Sequence, residues 1–310
     1  MNALLQHSVK VLNKNEVLVC YLYNYILDIF SEKYSYKTKN QMYGPALIVT
    51  EIIYFMKSGV SYEDYRGPLS AKTLCDHIHF FEQNKIFQKV YQLMHKDYSV
   101  DNKNAFKYQS IDTSYIVNKN GKINLGRNKH NKNKNCYKLS FIVDSNRIPC
   151  STICVSGNHN DAKIGNDNID AILDHVKDIN AICKPYMLGD KMYDTKEFRD
   201  KCSDNGYKPI IDYNRRNTRD NKLIKRLIKK EREIYVKRIK VENAFCIAKK
   251  NKRIQLIYDS SDKIFISFVY LAECRLIQKY LKPPIIKHNI EIPTNALELD
   301  IKLICQSNNI

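Results

Sequence analysis

Four residues in the last third of the chain carry side chains that could bind a metal ion and phosphate. In the segment REIYVKRIKVENAFCIAKKNKR they follow the spacing Tyr-x2-Arg-x3-Glu-x6-Lys, as Tyr235, Arg238, Glu242 and Lys249. At helical periodicity the four fall in one narrow stripe. Arginine and lysine can bind phosphate and glutamate a cation, although Arg238 and Glu242 also have the spacing of an ordinary surface ion pair.

The stripe lies along the edge of an apolar arc that would pack on a sheet. The arc consists of Ile234, Val241, Ala244 and Ala248. A carboxylate at such a boundary can be held rigidly by packing and still reach a metal ion at the end of a strand.

Two aspartates stand on predicted strands earlier in the chain. Asp112 lies within the strand predicted over Tyr108–Val117, and Asp190 directly follows the short strand predicted over Pro185–Gly189. Strand ends are where open α/β sheets collect ligands. Asp112 could instead face solvent, Asp190 could cap a turn, and Asp194 competes with Asp190 as a ligand.

The spacing of apolar residues, together with residues typical of helix ends and turns, predicts the helices and strands that must position these side chains. The helices predicted in the first hundred residues are Glu16–Ser31, Pro45–Ser58, Ser70–Glu82 and Ile86–Lys96. Strands are then predicted at Tyr108–Val117, Tyr137–Val143 and Cys150–Val155. After them come one helix containing Ile169, Ile172, Leu173, Val176 and Ile179, the strand before Asp190, a helix over Thr195–Asp204 and a strand over Lys208–Tyr213.

This order predicts an α/β fold with a ribonuclease-H-like mixed sheet flanked by helices, preceded by an all-helical N-terminal domain. We expect a helical domain over residues 1–105, a catalytic domain over 106–282 and a C-terminal tail over 283–310. Ser70–Glu82 could be a DNA-recognition helix, with Lys72 and His79 facing a groove. A bundle that only braces the catalytic domain explains the same pattern equally well.

The chain is strongly basic, with 51 Lys and Arg against 33 Asp and Glu and a formal net charge of +18. This balance favours a polyanionic partner, with nucleic acid first. The apolar stretches are too short to span a bilayer, and the N-terminus does not have the pattern of a signal peptide. We therefore expect an intracellular protein without a membrane partner, located with the DNA in the cytoplasm or nucleoid, or in the nucleus of a eukaryotic host. The basic run RRNTRDNKLIKRLIKKER favours a DNA phosphate track over a solvated helix face.

The Tyr-x2-Arg-x3-Glu-x6-Lys spacing is identical to the signature of a large group of bacterial insertion-sequence transposases of the DDE type. SIDTSYI resembles the family's first-Asp strand and MLGDKMYDT its second-Asp block, while KLSFIVDSNRIP and SGNHNDAKI resemble its hairpin and the turn into its helix. IIYFMKSGVSYEDY and HFFEQNKIFQKVYQLM resemble its helical leader, so the resemblance covers about Gln41 to Leu281. A glycine commonly follows the family's second Asp closely, where this chain has Lys191-Met192-Tyr193.

The resemblance implies a catalytic and metal-binding triad of Asp112, Asp190 and Glu242 that holds two Mg²⁺ ions, with Mn²⁺ as a substitute. Water would first cut DNA at the transposon end, and the exposed 3′ hydroxyl would then attack target DNA. The implied partner is double-stranded DNA, at the transposon ends and the target, bound by a homodimer.

By the same matching, the residues expected to bind DNA are Tyr235, Arg238, Lys249 and, on the second strand, Lys138. Two alternatives stay open: a domesticated or inactive relative that only binds DNA, and a ribonuclease-H-like nuclease without strand transfer.

Overall fold

The computed structural model describes Leu18 and residues 21–22, 24–25, 45–118, 120–121, 125–128, 133–214 and 227–282. Three predictions lie largely or wholly outside these residues: the helix over Glu16–Ser31, the basic run before Glu242 and the C-terminal tail. Among the helices described, none has the length and apolar character needed to cross a membrane.

Between Pro45 and the sheet, the structure describes three α-helices. We name them α1 to α3, and they span Pro45–Ser58, Ala71–Gln83 and Ile86–Asp101. The Ser70 side chain caps α2 by accepting a hydrogen bond of 3.0 Å from the Thr73 amide. Helix α3 extends beyond its predicted end at Lys96, because the buried Tyr98 continues its apolar face.

The sheet contains six strands in mixed orientation. Strands β1 to β6 span Tyr108–Val117, Gly126–Asn128, Lys134–Val143, Pro149–Ser156, Tyr186–Gly189 and Lys208–Ile211. Strand β3 pairs antiparallel with β1, β2 and β4, while β5 pairs parallel with both β1 and β6. This mixed sheet flanked by helices confirms the predicted ribonuclease-H-like architecture, to which the short β2 is an addition.

The helix predicted around Ile169 and Ile179 is two helices in the structure. Helix α4 spans Asp161–Asp170 and α5 spans Asp174–Cys183. The break occurs because the Leu173 amide donates to the carbonyl of Cys150 on β4 instead of continuing a helical ladder. A contact with a distant strand therefore overrides the local helical period. Helix α6, Lys196–Asp204, is capped by Thr195.

The segment that carries Glu242 is also interrupted. Helices α7 to α10 span Lys229–Tyr235, Ile239–Lys249, Lys252–Gln255 and Asp262–Ile277. A 3-10 turn over Val236–Arg238 separates α7 from α8. Because a 3-10 turn is wound more tightly than an α-helix, it changes the phase of the predicted wheel. Ile234 is accordingly only partly buried, whereas Phe245 is buried.

The helices before and after the sheet share one hydrophobic core. Helix α10 packs on α3, and α9 packs on α1. Gly59, at the end of α1, has a φ of +67°, and a Cβ placed there would lie 2.6 Å from the Cβ of Lys252. The N-terminal helices therefore meet α9 at close range, and the division into separate domains stays a prediction.

Candidate active site

Helix α8 and the 3-10 turn before it lie across one face of β1. Alternate residues of a strand point to the same side, so Asp112 and Ser114 share a face of the sheet. Arg238 contacts Asp112, and the Lys249 amine donates to the Ser114 hydroxyl at 2.7 Å. Phe245 stacks on Phe141 of β3 on this face, with ring centroids 4.6 Å apart. This stack fixes the helix between its two polar ends.

Arg238 bridges two of the three predicted catalytic carboxylates. Its Nη1 lies 3.0 Å from Asp112 Oδ2, and its Nη2 lies 2.5 Å from Glu242 Oε1. Burial opposes the arginine's charge, but the neighbouring charges of Asp112 and Glu242 raise its pKa. A single guanidinium thus joins Asp112, which lies 126 positions before Arg238 in the sequence, to Glu242, which follows Arg238 by four.

The Asp112 carboxyl group has a raised pKa. Burial raises its pKa to about 6, and the charges of Asp190 and Glu242 act in the same direction. The Thr113 amide, 2.8 Å from Oδ1, and the charge of Arg238 oppose the increase. The repulsion from both other carboxylates shows that the three groups share one electrostatic neighbourhood.

Asp190 lies beside Asp112 through the register of the sheet. The parallel pairing ends with Ser110 opposite Leu188, so both aspartates are two residues beyond the same pair. Adjacent strands are about 4.8 Å apart. Asp190 also caps a turn, which was the alternative interpretation of this residue. Its Oδ1 accepts a hydrogen bond of 2.7 Å from the Met192 amide in the 3-10 turn Lys191–Tyr193.

The turn after Asp190 does not need the glycine that is common in related sequences. The structure describes all three residues of this turn, and none of them has a positive φ: Lys191, Met192 and Tyr193. An ordinary side chain therefore fits each position. Asp194, the competing acidic residue, forms an ion pair of 2.7 Å with Arg199 and accepts from the Asn214 amide, so it is engaged within the protein fold.

Tyr235 and Lys249 lie at the two ends of the site. Burial raises the pKa of Tyr235, with the nearby Arg238 opposing this effect. Burial lowers the pKa of Lys249. Between them, 43% of the Glu242 side chain is exposed. The structure thus brings six of the seven predicted site residues to one face of the sheet.

Lys138 is the residue that the structure places elsewhere. It pairs with Tyr115 across β1 and β3, and Tyr115 points to the face opposite Asp112. Its ammonium lies 3.1 Å from Asp161 Oδ1 and donates to the His159 carbonyl, and its side chain is only 3% exposed. Asp161 also accepts from the Thr113 hydroxyl at 2.7 Å. Once β1 and β3 pair in this register, the alternation of β1 places Lys138 on the opposite face, because Tyr115 is an odd number of residues from Asp112.

Carboxylate oxygens are the ligands that Mg²⁺ and Mn²⁺ prefer, so the chemistry of Asp112, Asp190 and Glu242 fits such ions. In the part of the chain that the structure describes, no three His, Cys, Asp or Glu side chains already stand in a metal-binding arrangement. The Arg238 guanidinium lies between two of the three carboxylates.

The sequence matches a known protein family. The family model described as "Transposase DDE domain" matches residues 112–274, which is more than half of the chain. The match begins at Asp112 and includes both Asp190 and Glu242. No curated protein and no solved structure shows a significant match.

Proposed function

Since the chain belongs to the transposase DDE domain family, a family of transposase-type nucleases, we propose that it cuts DNA at transposon ends and joins the exposed ends to target DNA. The observation that carries this proposal is the common neighbourhood of Asp112, Asp190 and Glu242 on one sheet face. Family members generally use divalent metal ions. We propose that these three residues hold two of them, Mg²⁺ or Mn²⁺.

The proposed reaction has two phosphoryl-transfer steps at one site. In the first, water attacks the phosphorus at the transposon end, the bond to the 3′ oxygen breaks, and a 3′ hydroxyl and a 5′ phosphate are released. In the second, that 3′ hydroxyl attacks a target phosphodiester, and the target's own 3′ oxygen leaves. When bound, two divalent cations would activate the attacking oxygen and stabilise the leaving oxygen.

Contacts within the protein hold the three carboxylates in position. Asp112 and Glu242 approach from a strand and a helix that are fixed against each other by the Phe141–Phe245 stack. Asp190 is held by its hydrogen bond from the Met192 amide, which leaves the second oxygen of its carboxylate for a cation. A carboxylate held in this way needs little reorganisation to bind.

Arg238 would change partners during the reaction. Its planar guanidinium now neutralises Asp112 and Glu242, and it suits a phosphate equally well. With cation charge neutralising the carboxylates, Arg238 would be free to bind the DNA backbone, together with Tyr235 and Lys249. The role of Lys138 as a DNA contact stays a prediction. Its ammonium is paired with Asp161, so it would have to exchange this partner for a phosphate.

The proposal is tested by Mg²⁺-dependent cutting of a DNA duplex that carries the gene's own flanking sequence. We expect Asp190→Ala to abolish cutting while DNA binding is retained. Asp174→Ala is the matched control, because the Asp174 side chain is 98% exposed and lies outside the site. Equal cutting by wild type and Asp190→Ala would reject the site. Joining of the cut end to a second duplex separates a transposase from a nuclease without strand transfer, and the mass of the DNA complex tests the proposed homodimer.

A further inference from the structure

Two tyrosines form a stacked pair at the start of neighbouring parallel strands. Tyr108 of β1 and Tyr186 of β5 are paired in register, and their ring centroids lie 5.6 Å apart with an interplanar angle of 13°. Lys208 of β6 is paired with Tyr186 on the other side. Both rings are partly exposed, so the pair forms part of the protein surface.

Three exposed lysines surround this pair. The Lys237 ammonium lies 3.6 Å from the centroid of the Tyr108 ring and the Lys107 ammonium 5.6 Å from it, while the Lys208 ammonium lies 5.8 Å from the Tyr186 ring. We call these five residues the tyrosine–lysine platform. Within the described residues, none of its three lysines forms an ion pair with a carboxylate.

The type of contact determines the charge of the platform. An aromatic ring attracts an ammonium group through its quadrupole but does not cancel its charge, as a carboxylate would. Three positive charges therefore remain concentrated around one pair of rings. Like charges held together repel each other, and a polyanion relieves this repulsion. The platform thus matches a partner with closely repeated negative charge.

The platform lies on the same face of the sheet as the carboxylates. Asp112 follows Tyr108 by four positions on β1. Asp190, whose backbone is still extended directly after the end of β5, follows Tyr186 by four positions, so the side chains of each pair point the same way. Four residues of a strand span about 13 Å. Lys237 also directly precedes Arg238, whose guanidinium contacts Asp112.

We propose that the tyrosine–lysine platform binds backbone phosphates of the DNA strand that adjoins the scissile phosphate. This inference rests on the proposed function and adds the path of the DNA away from the carboxylates. Phosphates of one strand in a duplex advance by about 3.4 Å per nucleotide, so the platform meets the backbone roughly four nucleotides from the cut. The rings position the lysines, and the lysines contact the phosphates.

The test measures DNA binding separately from cutting. Binding of a fluorescent duplex with the gene's flanking sequence is followed by anisotropy over a range of salt concentrations, with EDTA present so that no cutting occurs. The platform variant combines Lys107→Gln, Lys208→Gln and Lys237→Gln. The matched control removes the same charge from exposed lysines of α3 and α4 and combines Lys89→Gln, Lys96→Gln and Lys163→Gln.

For the platform variant, we expect the plot of log affinity against log salt concentration to be less steep than for wild type. Its slope should be smaller in magnitude by roughly 2 to 3, about 0.9 for each lost phosphate contact. The control should retain the wild-type slope within about 0.5. Tyr108→Leu/Tyr186→Leu, which keeps the lysine charges, should weaken binding less than the platform variant does. Circular dichroism verifies that each variant is folded.

Equal slopes and affinities for the platform and control variants would overturn the proposal, as would a wild-type protein that does not bind the duplex. This result does not depend on cutting by the wild-type protein, because the assay contains no free metal ion. Platform-dependent binding without Mg²⁺-dependent cutting would instead reject the proposed nuclease and leave the platform in place.

Discussion

Arg238 forms an ion pair with Asp112 in which Nη1 lies 3.0 Å from Oδ2, and the same guanidinium holds Glu242 through Nη2. The arginine thus supplies positive charge between two carboxylates that would otherwise repel each other. Any cation that binds these carboxylates must compete with it. We therefore expect Arg238 to couple the stability of the protein to its response to divalent cations.

Arg238→Gln should destabilise the protein in EDTA and increase its stabilisation by Mg²⁺. Without the guanidinium, Asp112 and Glu242 repel each other, and we expect a loss of about 1 to 2 kcal/mol in the free energy of unfolding. Urea unfolding with EDTA and with Mg²⁺ measures both effects. Arg232→Gln removes the same charge from an exposed position and should change neither value appreciably. A Mg²⁺ response identical to that of wild type would contradict competition by Arg238.

Phe245→Ala should weaken cutting more than DNA binding. The stack on Phe141 fixes α8, so a cavity there both destabilises the protein by roughly 3 to 5 kcal/mol and loosens the support of Glu242. Phe245→Leu fills most of the space and should have a smaller effect. Thermal unfolding and single-turnover cutting, below the lowest melting temperature, make the comparison. Cys246→Ala, on the exposed side of α8, is the matched change. Cutting by Phe245→Ala at the wild-type rate would show that the stack does not position Glu242.

Arg253→Met should be among the most destabilising substitutions in the chain. Arg253 and Asp259 form an ion pair of 2.9 Å with side chains 0% and 2% exposed, and the guanidinium lies 4.0 Å from the Phe55 ring centroid. Removing the arginine leaves a buried carboxylate unpaired, at a cost of about 3 to 5 kcal/mol. Urea unfolding measures the loss. The double variant Arg253→Met/Asp259→Asn should recover part of it, and absence of any recovery would argue against the unpaired charge as its cause. Lys250→Met is the control, because it replaces a basic residue by methionine at an exposed position.

Glu273→Gln should reduce the dependence of stability on pH. Burial raises the pKa of Glu273 from 4.5 to about 8, with the hydrogen bond from Thr152 opposing the increase. The folded protein therefore holds this proton more tightly than the unfolded chain does. The resulting stabilisation is complete below pH 4.5 and is lost as the pH rises through about 8.

Between these two limits, the free energy of unfolding should fall less steeply in Glu273→Gln than in wild type, by up to about 1.4 kcal/mol per pH unit. Glutamine keeps an oxygen that can accept from the Thr152 hydroxyl. Urea unfolding at a series of pH values gives the two slopes. Glu233→Gln, at an exposed position, should leave the wild-type slope unchanged. A Glu273→Gln slope equal to that of wild type would mean that Glu273 is ionised in the folded protein.

Much of the fold could be predicted from local sequence patterns. The strand over Tyr108–Val117 and the helix over Pro45–Ser58 have the predicted bounds, because alternation, a proline at the first helical turn and a glycine past the helix end act within a few residues. The three acidic positions were also predicted from the sequence, with their roles given by resemblance. The structure places their carboxyl groups in one electrostatic neighbourhood.

Other features required contacts between distant segments. The break between α4 and α5 depends on the Leu173 amide bonding to Cys150, and Lys138 is separated from Asp112 by the pairing of β1 with β3. Neither contact leaves a periodic signal in the neighbouring sequence. The same holds for Tyr108 and Tyr186, which become neighbours only when β1 and β5 pair in parallel.

By itself, the sequence determined which residues could do the chemistry, the elements that carry them and the strong positive charge. Only the tertiary structure decided that Arg238 lies between Asp112 and Glu242, which side of the sheet each lysine faces, and that two tyrosines stack with lysines around them. The physical reason is that helix and strand periods arise from backbone geometry over a few residues. Strand register and the seating of a helix on a sheet depend instead on side chains far apart in the chain.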